Sequence, residues 1–206
     1  MNPLNSVKGA IAAGFVLAIV ISVILTAVVG VPKVGGFVGH EAITIWLHVL
    51  SGVVWIGLLY YFNLVQIPGL AAAAADKGGP GGAGISKYIA PSALLWFRWA
   101  AIATWVTGAA YLVAKGGFVE SFLLGATTGN PYHTVIGLGA WLGTIMLFNV
   151  WVLIWPNQKK VLGLVPATDE EKAAARRTAM LASRTNFVLS VPMLMCMIGA
   201  HHWMPF

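Results

Sequence analysis

Residues 40–68 read HEAITIWLHVLSGVVWIGLLYYFNLVQIP. After Glu41 the stretch holds no Asp, Glu, Lys or Arg as far as Pro68, and it is far longer than a buried strand. A helix rises about 1.5 Å per residue, so 41–66 is long enough to cross a hydrocarbon layer of about 30 Å. The segment therefore predicts a transmembrane helix, and it carries His48 inside the apolar part.

Four further segments repeat the pattern. Residues 11–31 are uncharged and end at Pro32 and the glycines 35 and 36. They follow a short N-terminal stretch with Lys8, and their length exceeds a usual signal-peptide core, which predicts a retained first span. The remaining spans are expected at 94–114, after Pro91, at 132–155, closed by Pro156, and at 185–203, with Pro192 inside. The Ala- then Gly-rich stretch 71–84 is expected to be a loop, as is 115–131. Residues 168–183 place Asp169, Glu170 and Glu171 ahead of Arg176 and Arg177, which suits a helix dipole, and Thr168 with Glu171 forms a capping box. A short interfacial helix is expected there. The expected fold is all-α: one membrane domain over 1–206, a polytopic bundle of about five spans with one surface helix.

Composition agrees. Of 206 residues 59% are hydrophobic and 9% charged, against about 25% charged in ordinary soluble domains. Mean hydropathy is +0.84. A soluble enzyme, a nucleic-acid binder and a disordered chain are excluded. The single cysteine, Cys196, rules out a disulfide framework, covalent c-type haem and a Cys₄ iron–sulfur cluster within this chain.

The net charge of +6 comes from twelve Lys and Arg against six Asp and Glu. With five spans, ten of the twelve fall on the side of the N-terminus, and only Lys33 and Lys115 fall on the other. Cytoplasmic loops are enriched in Lys and Arg. The expected topology has a cytoplasmic N-terminus and a periplasmic C-terminus.

That topology gathers the histidines. His40 and His48 open the second span, His133 opens the fourth, and His201 and His202 close the fifth, all near the outer face. A histidine within a span needs a hydrogen bond or a ligand. Neutral imidazole is an axial ligand of haem and also binds copper or zinc. Gly52 and Gly137 lie four residues after His48 and His133, on the same helical faces, where a missing side chain makes room for a flat porphyrin. Trp55 and Trp141 follow as candidate walls, and Glu41 is a candidate partner for a ring N–H. The expected ligands are His48 with His133 or His201; His40 and His202 are additional candidates. No catalytic residue is assigned. Interfacial packing is the competing reading for His40, His201 and His202, and close helix packing for Gly52, Gly57 and Gly137. Asn63, Asn149 and Asn186 are candidate cross-links in the inner half, and Arg98 and Arg184 are explained by snorkelling.

Four pieces carry a resemblance to a known family: HVLSGVVWIGLLYYFN at 48–63, LLWFRWAAIATWVTG at 94–108, LGTIMLFNVWVLIWPNQKK at 142–160 and RTNFVLSVPMLMCMIGAHH at 184–202. In this order they resemble the membrane domain of the cytochrome-linked bacterial urate oxidases, the urate oxidase N-terminal domain family. The chain looks like a short form, because the family's C-terminal cytochrome c domain with C-x-x-C-H is missing from the sequence. The resemblance implies a polytopic protein of the bacterial inner membrane that oxidises urate and passes electrons to cytochrome c, and it points to His48 and His201.

The residues and the resemblance together lead to three expectations. The first is a b-type cytochrome-like subunit with one or two haem b groups near the periplasmic face. It would exchange electrons with other membrane redox subunits or periplasmic cytochrome c. The second is a urate or other small-molecule oxidase working with a separate cytochrome c. The third is a non-redox accessory subunit of a respiratory or oxygenase complex. The partner common to all three is the lipid bilayer.

Overall fold

A computed structural model describes residues 2–29 and 39–202. The expected end of the first span at 31, its Pro32 and glycine break, Lys33 and the end of the last span at 203 lie outside these residues. The chain divides into two compact units, Met1–Gly39 and His40–Phe206. In the first, α1 (Val7–Val29) is a single apolar helix. The Ser6 hydroxyl caps it by accepting the Gly9 N–H at 3.0 Å, the usual way to satisfy an orphan amide at a helix start.

The second unit is also all-helical among the described residues. It contains α2 (His40–Ala75), α3 (Ile85–Ala114), a short α4 (Phe118–Phe122), α5 (Pro131–Val161) and α6 (Asp169–His202). Among the described residues, five helices are long and apolar enough to cross a membrane. α2 packs along α3 as one antiparallel pair, and α5 along α6 as another. Their histidine-bearing ends fall together at one end of the bundle, termed here the histidine end.

The long helices correct several expected boundaries. Pro68, Pro91 and Pro156 do not terminate helices; each lies inside one. A widened π turn precedes each proline by two residues: Phe62–Gln66, Ile85–Ile89 and Asn149–Ile154. Proline lacks an N–H and its ring presses on the carbonyl four residues back. A π turn shifts the hydrogen-bond register and opens the helix there, so the chain passes the proline without stopping. All three such turns lie at the end opposite the histidines.

The expected loop at 71–84 is shorter than its composition suggests. Five alanines complete α2 through Ala75, as the best helix formers would. The connection then turns at Asp76, whose carboxylate accepts the Gly78 N–H at 3.1 Å. The expected loop at 115–131 contains α4. The expected surface helix and fifth span are a single 34-residue helix, α6. Its start is the expected capping box: Glu171 accepts the Thr168 N–H at 2.8 Å, and Thr168 accepts the Glu171 N–H at 3.2 Å. No glycine or proline interrupts residues 169–191, so the charged front and the apolar rear stay continuous.

The core uses large side chains from all four long helices, among them Trp55, Leu59, Phe97, Met146 and Val150. Phe62 meets Phe97 edge-on at 5.4 Å. Polar cross-links then fix the helix pairs. Asn149 donates to the Asn186 side-chain oxygen at 2.8 Å, and the Asn186 amide donates to the Met146 carbonyl at 2.9 Å. Asn63 donates to the Ser183 hydroxyl at 2.9 Å, and Ser190 donates to the Tyr60 hydroxyl at 3.2 Å. The three asparagines thus join α2, α5 and α6, as their sequence positions suggest. Asn186→Leu leaves the buried Asn149 amide without its acceptor. The expected cost is about 1–2 kcal/mol, read as a lower thermal midpoint in detergent; an unchanged midpoint refutes the cross-link.

Arg98 has a structural explanation. Its guanidinium stacks on the Trp155 ring at 3.8 Å, and its carbonyl accepts the Trp151 indole N–H at 3.2 Å. A cation–π contact of this kind ties α3 to α5.

Candidate functional site

Towards the histidine end, α2, α3, α5 and α6 line a half-open cavity of about 680 Å³, with Phe122 of α4 against it. Its space is made partly by glycines. Side chains built at Gly57 of α2 or Gly143 of α5, both lining the cavity, would meet nothing within 4 Å. The neighbouring Gly139 has the opposite role: a Cβ there would approach Cys196 and Met197 of α6 to 3.2 Å. One glycine of the G-x-x-x-G pair packs the helices, and the other keeps the cavity open.

His48 forms part of the wall. Its Nδ1 lies 2.8 Å from the Thr104 carbonyl oxygen of α3. A carbonyl can only accept, so the neutral ring carries its proton on Nδ1 and keeps the Nε2 lone pair. This is the arrangement of metal-binding histidines, whose second nitrogen is held by a carbonyl or carboxylate. The ring also rests on Gly108, where an added Cβ would come within 2.7 Å of it. Thr104 and Gly108, one turn apart on α3, fix the ring between them.

His201 and His202 of α6 line the same cavity. His201 Nε2 is 3.3 Å from the Tyr111 hydroxyl, and its ring meets Tyr132 edge-on at 5.4 Å. Tyr111 comes from α3 and Tyr132 from α5, so three helices converge on this imidazole. Trp55 also lines the cavity; it is 2% exposed, and its indole N–H has no hydrogen-bond partner. Gly52 lines it as expected.

The other expected residues lie elsewhere. His133 is not in the cavity wall; its Nδ1 is 3.0 Å from the Ser121 hydroxyl of α4, and its ring rests on Gly117. Gly137 lies directly beneath the Ser121 carbonyl, where a Cβ would collide. Trp141 donates to the Phe122 carbonyl at 3.1 Å and packs on the Phe122 ring. These three residues seat α4 on α5, the close-packing alternative for Gly137. His40 is exposed at the start of α2, and its carbonyl accepts the Thr44 hydroxyl at 2.8 Å. Glu41 is exposed on the same turn. Among the described residues, no three His, Cys, Asp or Glu side chains gather as they would around a bare zinc or copper ion.

The sequence reading missed Thr104, Gly108, Tyr111 and Ser121. The i, i+4 pairing of Thr104 with Gly108 was visible within 94–108, but nothing local showed that it faced His48.

Beyond α4 the chain is tied down by one acid. Glu120 accepts the N–H groups of Thr127 and Thr128 at 3.2 and 3.0 Å, and both threonine hydroxyls donate to it. The Thr127 hydroxyl bond, with these others, holds the Glu120 carboxyl below the ordinary carboxylate range. A lowered folded pKa means the contribution is full above the ordinary value of about 4.3 and is lost as pH falls through the folded one. Glu120→Ala is expected to speed amide exchange at Thr127 and Thr128 at neutral pH; unchanged protection refutes the tie.

No curated protein and no solved structure matches the chain. Residues 131–206 do match a known family, and they contain α5, α6, His133, His201, His202 and two of the four resembling pieces. That part of the chain is similar to the urate oxidase N-terminal family.

Proposed function

We propose that this chain is a membrane subunit that moves electrons through a b-type haem held by His48 and His201. The observation that carries this reading is the His48 ring, fixed by the Thr104 carbonyl with Nε2 free, in the wall of a cavity shared with His201. The cavity volume falls within the range of about 300–1,000 Å³ typical of cofactor sites. Haem needs one or two histidines and not a cluster of three acidic, thiol or imidazole ligands. The unpartnered Trp55 N–H is a buried donor in want of an acceptor.

Held by His48 and His201, a haem would supply reversible one-electron transfer. The protein's part is to hold and orient. Thr104 and Gly108 set the His48 ring. Tyr111 holds one nitrogen of His201 and leaves Nδ1 for coordination. The glycines make the space, and the surrounding hydrocarbon excludes water. The charge distribution supports an inner-membrane protein with a cytoplasmic N-terminus, an orientation that would put the cavity toward the periplasm. A periplasmic cytochrome c or another redox subunit is the partner that suits such a position.

The match over 131–206 favours one second reading: oxidation of urate or a similar small molecule, with electrons passed to a separate cytochrome c. A pyridine-haemochrome and metal assay of the detergent-purified chain tests both. A stoichiometric b-type spectrum is expected. Its absence overturns both haem readings and leaves the accessory-subunit alternative. Given the spectrum, reduction by urate selects the oxidase reading.

A further inference from the structure

Three of the four seams between the cavity's helices are closed beside it. The His48 ring joins α2 to the Thr104 carbonyl of α3. Trp105 of α3 donates its indole N–H to the Thr144 hydroxyl of α5 at 2.9 Å. Gly139 lets α5 settle on Cys196 and Met197 of α6. The fourth seam, between α2 and α6, is different. These two helices touch far less than either touches the other member of its own pair. Ser190 bonds Tyr60, Asn63 bonds Ser183, and the Tyr60 ring lies 4.9 Å from that of Phe187. On α2 these contacts begin at Tyr60 and lie on the side away from the histidine end.

Nearer the histidines the seam is a slot. Val49 and Val53 of α2 and Leu194 and Ile198 of α6 line the cavity, yet they are 55, 66, 36 and 52% exposed. Along these four side chains the cavity wall and the outer surface of the bundle are continuous. Thr104, Ile136 and Met193, also in the wall, are buried behind them. Val49 and Val53 lie about 14 and 20 Å along α2 from its start, inside the stretch without Asp, Glu, Lys or Arg. In a membrane-spanning helix that is hydrocarbon depth, so the slot faces acyl chains and not water. The histidine end is bridged instead: Tyr111 and Tyr132, from α3 and α5, both reach His201 of α6.

We infer that the slot between α2 and α6 is a lateral portal through which the cavity takes its ligand from the hydrocarbon layer. A rim of valine, leucine and isoleucine passes an apolar body and refuses a solute that must keep its water. The ligand is thus a membrane-dissolved molecule, largely apolar, with one group that the His48 Nε2 lone pair can bind. Haem meets that description. The inference rests on the haem reading for the ligand's identity, whereas the route rests on the slot alone.

The test places the full chain in phosphatidylcholine vesicles and photolyses an aryl diazirine dissolved in the bilayer, with labelled residues mapped by mass spectrometry. Label is expected on the buried wall residues Thr104 and Met193 as well as on Val53 and Leu194. It should be lost from Thr104 and Met193 when Val53→Trp and Leu194→Trp together fill the slot. Val188→Trp, at an exposed position of α6 outside the cavity wall, should change nothing. Ile198→Trp narrows the same slot from α6 alone and replaces the double variant if that does not fold. Wild-type label on Val53 and Leu194 but not on Thr104 and Met193 makes the slot a surface groove and overturns the portal. Label on Thr104 and Met193 that persists in the filled slot shows entry elsewhere and overturns it too. So does absence of label on Val53 and Leu194, which means that another helix or a second copy covers them. Haemin dissolved in the same vesicles gives the separate test of identity: the Soret band should rise more slowly in the slot-filling variant than in the wild type. Labelling that follows the slot without any Soret band leaves the portal standing and overturns the haem reading.

Discussion

His48→Ala is expected to remove the Soret band from the purified protein, or to leave haem so weakly held that it is lost on washing. Substitutions that merely misorient a metal-binding histidine cost about 10–100-fold in affinity, so deleting the ligand should cost at least the upper end of that range. The ring lies in a well-supported position, between the Thr104 carbonyl and Gly108, and no other histidine of α2 or α3 lines the cavity. Imidazole added to the variant should restore the band, because truncation leaves a ring-sized space beside the Thr104 carbonyl. Rescue separates a missing ligand from a collapsed fold. His201→Ala should retain haem but convert the spectrum to one with a single protein ligand. His133→Ala should leave the spectrum unchanged, since His133 bonds Ser121 outside the cavity. A normal spectrum in His48→Ala, or its loss in His133→Ala, overturns the assignment of ligands.

The gathering of histidines at one end was legible in the sequence because span count and helix direction alone decide it. What each histidine touches was not. Gly52 and Gly137 were read as glycines that make room for a flat porphyrin beside the histidines of their own helices; Gly52 does line the cavity, whereas Gly137 packs against the Ser121 carbonyl. In the structure the glycine against His48 is Gly108, from α3, and the glycine against His133 is Gly117, from the turn after α3. Periodicity fixes which residues share a face of one helix, but it carries no information on the rotation of that helix against its neighbour. The prolines show a related limit. Pro68 and Pro156 were read as the ends of helices, and Pro91 as preceding one, because a regular α-helix cannot hold proline in its interior at low cost. A preceding π turn changes that cost, and no residue in FNLVQ, ISKYI or NVWVLI announces it. The asparagines were easier to read, because a primary amide in an apolar helix must find a partner from another helix.

The second large effect concerns Gly137. A Cβ at this position would collide with the carbonyl oxygen of Ser121 and lie 2.9 Å from its carbon. The obstacle is main chain, so no rotamer change can relieve it. α4 is also poorly free to retreat: Gly117 N–H bonds the Leu112 carbonyl at 2.9 Å, Ser121 is bonded to His133, and Glu120 is tied to Thr127 and Thr128. Gly137→Ala is expected to destabilise the protein by about 1–3 kcal/mol, as overpacking does, and Gly137→Val by more. A lower thermal midpoint and faster amide exchange across 118–128 would register it. Haem retained by the folded fraction should keep its normal spectrum, because Gly137 does not line the cavity. Gly57→Ala and Gly143→Ala should behave in the opposite way. Their Cβ atoms meet no protein atom within 4 Å, so the fold tolerates them while the cavity loses room for a ligand. If Gly137→Ala left stability intact and disturbed the haem spectrum, Gly137 would belong to the ligand site after all. The division between glycines that seat α4 and glycines that open the cavity would then be wrong.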